Sequence, residues 1–207
     1  VPPAERALRV AGGPSLAARL LLPSHPRGLV ILAPPEVLAD VPADAQPPEV
    51  AQLQQLGLAL LQCDPLRGPA PDLARLADQL VEAIDWCHRQ RRLAHLPLGL
   101  QAARRVSAAA LEAAAERPEG VAALVSWAGR PDLAFQALGR VVSPTLLIVG
   151  ARDVDLGELN AWAAAHLLAP HDLRVVPGAA AACHDPVARA LVCTHTCDWF
   201  RSHLQPR

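Results

Sequence analysis

Six short apolar runs recur along the chain, each bounded by turn residues and separated from the next by a polar or amphipathic segment. Residues 28–33 (GLVILA), 58–63 (LALLQC) and 144–150 (PTLLIVG) are continuous rather than alternating, the pattern of strands buried on both faces. Shorter runs at 98–101, 121–126 and 173–176 read the same way. Upstream, residues 7–11 and 15–22 alternate loosely about Gly12-Gly13-Pro14 and predict an antiparallel hairpin. Between the runs, residues 72–92 carry Leu73, Leu76, Ala77, Leu80, Val81 and Ile84 at spacings of three and four, one buried stripe of a long helix. Shorter helices are predicted at 49–56 (closed by Gly57), 108–117, 133–138, 157–167 and 186–203, and the five prolines of 34–48 predict a loop. Strands alternating with helices imply parallel pairing through right-handed crossovers. The predicted fold class is α/β: a single doubly wound, mostly parallel sheet with an N-terminal antiparallel hairpin. The 207 residues suit one domain over 1–207.

Composition narrows the function classes. Hydrophobic residues make up 52% and charged residues 19%, a folded globule and not a disordered chain. A formal net charge of -1 offers no electrostatic basis for binding nucleic acid. All 19 basic residues are arginine, and lysine, methionine and tyrosine are absent. That bias is the mark of a GC-rich coding sequence and lowers the weight of any single Arg, Ala or Pro. No run reaches the length of a membrane-spanning helix, and residues 1–10 lack the basic-then-apolar order of a secretory signal. The expectation is a cytoplasmic chain with no membrane partner. Five cysteines are an odd number, which fits reduced thiols better than a disulfide framework.

The junction at 98–114, LGLQAARRVSAAALEAA, reads as strand, sharp turn and alanine-rich helix. In an α/β sheet, ligands and nucleophiles are placed at that end of the strands. With GLVILAP, LVEAIDW, PLGL, GRPDLA, PTLLIVGARD, RVVPGA and DWFRSHL in order over nearly the whole chain, it resembles the dienelactone-hydrolase-like branch of the α/β hydrolases. The resemblance implies a nucleophile, a histidine, a carboxylate and two oxyanion N–H donors, with no cofactor. The nucleophile slot falls at Arg104, and a guanidinium holds its proton and cannot attack a carbonyl. The oxyanion slot after the first central strand reads Pro34-Pro35, and proline has no N–H to give. The histidine slot falls at Ala180 or Ala181, while the acid slot, Asp153, is retained. The implied protein is a degenerate hydrolase, a pseudoenzyme.

Substitute chemistry has a few candidates. Ser107 lies one turn into the helix, and Ser126 ends a neighbouring strand; either is equally a packing or capping residue. Cys183 and His184 stand in the loop that would deliver the histidine, so Cys183 or Ser126 as nucleophile with His184 and Asp153 as helpers is the hydrolase alternative. Asp185-Pro186 reads as a helix start. Cys193, His195 and Cys197 invite a zinc site, but only the two cysteines share a helix face, so no metal is predicted. Arg104 and Arg105, at a helix N-terminus, are the candidate ligand-binding pair for a small anion. Arg104 paired with Asp153 is the structural alternative, and in either case a relaxed backbone is expected at the turn. The predicted role is a small-anion binder or a protein-interaction module. In the latter, the 34–48 and 179–182 loops would form the patch.

Overall fold

The computed structural model describes residues 4–9, 17–33, 48–63, 72–180 and 185–205. The elements run β1 (Ala4–Arg9), β2 (Ala17–Leu22), β3 (Gly28–Ala33), α1 (Pro48–Gln55), β4 (Leu58–Cys63), α2 (Leu73–Arg89), β5 (Leu98–Ala103), α3 (Val106–Glu116) and β6 (Ala123–Trp127). A 3₁₀ turn (Pro131–Ala134), α4 (Phe135–Leu138), β7 (Thr145–Gly150), α5 (Val154–Ala164), β8 (His171–Val176) and α6 (Pro186–His203) follow. The described strands form one sheet in the order β1-β2-β4-β3-β5-β6-β7-β8. β1 and β2 pair antiparallel, β2 joins β4 antiparallel, and every later pairing is parallel. The mostly parallel sheet with an antiparallel N-terminal edge is the predicted fold.

The continuous apolar runs became the central strands because helices cover both of their faces. Ile31, Leu61, Leu100, Leu124 and Leu147 meet α2 and α3 on one face, while Val30, Leu60, Val125 and Ile148 meet α1 and α6 on the other. Nine of the eleven residues of α3 are buried, mostly alanines, so this helix lies close against the sheet. On the opposite face Gly99 sits beneath Phe200: a Cβ there would stand 2.6 Å from the ring.

Several boundaries differ from expectation. β5 continues two residues past 101, and α3 begins at Val106 rather than 108, because small Ala102 and Ala103 fit a strand as well as a helix. α2 ends at Arg89, where Gln90 turns to φ -81, ψ 118. α5 starts at Val154 and β8 at His171, both earlier than the apolar pattern implied. β8 is an edge strand, so His171 and Asp172 need no apolar cover and escaped a search for apolar runs. The helix start at Asp185-Pro186 is as expected, with Asp185 Oδ1 accepting from the Val187 N–H at 3.0 Å.

Candidate functional site

The turn between β5 and α3 consists of Arg104 and Arg105 alone. Arg104 has φ 53, the left-handed region that costs a bulky residue about 1–3 kcal/mol. The expected relaxation did not occur, and the hydrogen bonds supply the reason. The Arg104 N–H donates to the Trp127 carbonyl at 3.0 Å, and its own carbonyl accepts from Ser107 at 3.2 Å and Arg130 at 3.1 Å. Relaxing the turn would break all three. Beside it, at the end of β6, Ala128 has φ 46 and donates its N–H to Ile148 at 2.8 Å. Two strained strand ends are thus stitched into one rigid rim. Both arginine side chains are partly exposed on it.

Under the rim lies a buried polar group. A Cβ on Gly129 would collide with Ser126 Oγ and stand 2.9 Å from Ser107 Oγ, so Gly129 is the lid over both hydroxyls. Ser107 and Ser126 are fully buried and neither hydroxyl has a hydrogen-bond partner. A nucleophile must meet its substrate, and these two hydroxyls face the protein interior. Asn160 of α5 closes the group, donating to the Gly129 carbonyl at 3.0 Å and to the Leu156 carbonyl at 2.8 Å. Gly129 and Asn160 were missed in the sequence because neither belongs to a motif; the glycine after Trp127-Ala128 was the available signal.

Asp153 stands after β7, immediately before α5. Its Oδ2 is buried without a hydrogen-bond partner, and it forms no ion pair among the described residues, so the alternative pairing with Arg104 is not made. Gly150 has no room for a Cβ because the Ala179 backbone crosses it, and Arg152 N–H bonds the Ala179 carbonyl at 3.0 Å. Residues 179–180 therefore lie against the segment that leads from β7 to Asp153. Cys183, His184, Ala181 and Pro34-Pro35 lie outside the described residues, as does most of the 34–48 loop.

A second polar group sits between α1, β5 and α6. Gln101 donates to Glu49 Oε1 at 3.0 Å, and burial pushes the Glu49 carboxyl above its ordinary pKa, with Gln101 and Arg189 pulling it back. Cys197 Sγ contacts Gln52 Oε1 at 3.7 Å, and Cys193 beside it is equally buried. His195 is partly exposed on another side of α6. Among the described residues no three His, Cys, Asp or Glu side chains converge as a metal site, and no helix is long and apolar enough to cross a membrane.

No family model matches the chain. Two provisionally named phosphoribosyl transferases of Mycobacterium tuberculosis are 39% identical over 203 residues, a match covering 94% of this chain. The chain spans only 45% of the length of these curated relatives. Among solved structures, a metagenomic dienelactone hydrolase-like promiscuous phosphotriesterase shares the fold at 18% identity and TM-score 0.75, over 99% of this chain and 100% of that one. A dienelactone hydrolase from Anabaena variabilis is similar at 35% identity and TM-score 0.89, over 99% of this chain and 100% of that one. Likeness of that extent, on the same mostly parallel sheet, makes this chain a member of the dienelactone-hydrolase-like branch of the α/β hydrolases.

Proposed function

We propose that the chain is a hydrolase-fold protein that binds an anionic group at its elbow, the Arg104-Arg105 turn between β5 and α3, and does not hydrolyse esters there. The observation that carries this is Arg104: a cation with a strained, left-handed backbone stands in the turn between β5 and α3, where the family resemblance implies a nucleophile. Strain persists where the surroundings over-determine it, and it concentrates at ligand sites. The N-terminus of α3 adds a favourable dipole for an anion. Two guanidinium groups there suit a phosphate or carboxylate, which accepts paired N–H bonds. The name of the M. tuberculosis relatives, of whose length this chain spans 45%, supports phosphate esters of the phosphoribosyl type as ligands.

Isothermal titration with ribose 5-phosphate and phosphoribosyl pyrophosphate tests the proposal. Binding that Arg104→Ala weakens at least about tenfold is expected, a loss of roughly 1.4 kcal/mol. Equal binding by the variant would end it.

The second reading is a working ester hydrolase with displaced residues, favoured by likeness to a protein named dienelactone hydrolase. It needs Cys183 or Ser126 as nucleophile, with His184 and Asp153 as helpers. Ser126 is enclosed beneath Gly129, which leaves Cys183 the stronger candidate. Fluorophosphonate and iodoacetamide labelling read by intact mass, beside turnover of short aryl esters, separates the two readings. A labelled residue with turnover identifies the hydrolase.

A further inference from the structure

β8 ends the sheet, and among the described residues no strand covers its outer edge. Its hydrogen-bonding direction follows from its ladder with β7. The Thr145 N–H donates to the Pro170 carbonyl at 2.9 Å and the Ala151 N–H to the Val176 carbonyl at 3.0 Å. In a parallel ladder the inward groups recur at every second residue, so Asp172 and Arg174 also bond inward. The backbone N–H and C=O groups of His171, Leu173 and Val175 therefore point out of the sheet.

We propose that two copies of this chain join antiparallel along β8, about a two-fold axis through Leu173. That register places Leu173 opposite Leu173 of the second copy, and His171 opposite its Val175. These are the residues with outward backbone groups, so each such pair exchanges two hydrogen bonds. The same register places Asp172 opposite Arg174 and Arg174 opposite Asp172. Those are the non-hydrogen-bonded positions, where facing side chains come closest and opposite charges stabilise.

Within one chain Asp172 and Arg174 already share an ion pair, so both lie on one face of the strand. The strand is self-complementary in charge, as a two-fold interface must be. Val175, on the strand itself, is 56% exposed and supplies apolar area there. Unprotected edges invite pairing, and here the charges select one partner and one register.

Sedimentation velocity over a dilution series tests this on the full chain. A concentration-dependent dimer is expected. Asp172→Arg and Arg174→Asp each bring two like-charge pairs face to face, and each should raise the dimer dissociation constant at least about tenfold. The exchange variant D172R/R174D restores opposite charges at both positions and should restore the dimer. Val175→Pro removes an outward N–H and spares the β7 ladder, so it should yield a folded monomer by circular dichroism. A wild-type chain that is monomeric at every concentration overturns the proposal. So does a dimer indifferent to the single reversals, or a folded exchange variant that stays monomeric.

Discussion

The two faces of the sheet are closed by different chemistry. Under α2, α3, α4 and α5 the contact is mostly alanine, leucine and valine, with Ala108, Ala109, Ala110, Ala113 and Ala114 fully buried and the small group of Ser107, Ser126 and Asn160 as the polar exception. Under α1 and α6 one large ring, Phe200, fills the space over Gly99, and the polar group of Glu49, Gln52, Gln101, Cys193 and Cys197 runs beside it. The first face answers to volume, because small side chains at full burial leave no slack. The second answers to volume at one point and to charge along its length. The elbow grows out of the first face, so a rigid helix stands behind the strained turn.

That contrast can be broken most sharply at Phe200. Phe200→Ala removes a fully buried ring and leaves a void over Gly99, with an expected loss of about 3–5 kcal/mol in urea unfolding. A loss below about 1 kcal/mol would show that the second face collapses freely around the void. On the first face the opposite change is the informative one. Ala110→Leu adds volume where none is free and should cost about 1–3 kcal/mol, whereas a neutral result would mean α3 can lift from the sheet.

At the elbow the expected sign reverses. Arg104→Gly relieves a left-handed conformation, so stability should rise by about 1 kcal/mol while anion binding falls. Stability and binding measured on one variant separate strain kept for function from strain that is incidental. If both fall, the guanidinium supports the fold.

The smallest effect is a matter of pH on the second face. Burial raises the Glu49 carboxyl, so the folded state holds that proton more tightly than the unfolded chain. Its contribution is complete below the unfolded carboxylate value, about 4.3, and is lost as pH rises through the raised value. Glu49→Gln removes this loss and should flatten the dependence of the urea midpoint over that window. An unchanged slope would assign the dependence to another group.

Much of this molecule could be read from the chain. The runs 28–33 and 58–63 coincide with β3 and β4, because a strand buried on both faces admits only apolar residues. Asp185-Pro186 announced α6 through a cap whose bond is local. That an arginine pair stands at the turn after residues 98–101 was equally plain, since residue type is a property of sequence.

What the tertiary structure decided rests on contacts between distant segments. Whether the turn at Arg104 relaxes depends on Trp127 and Arg130, more than twenty residues away along the chain, and they hold it strained. The enclosure of Ser107 and Ser126 beneath Gly129, with Asn160 behind it, joins α3, β6 and α5 through no shared pattern. The raised Glu49 carboxyl depends on burial that its own helix cannot supply. Local composition and periodicity specify elements and absences. Strain, burial and the partners of polar atoms are settled only when the sheet brings remote residues together.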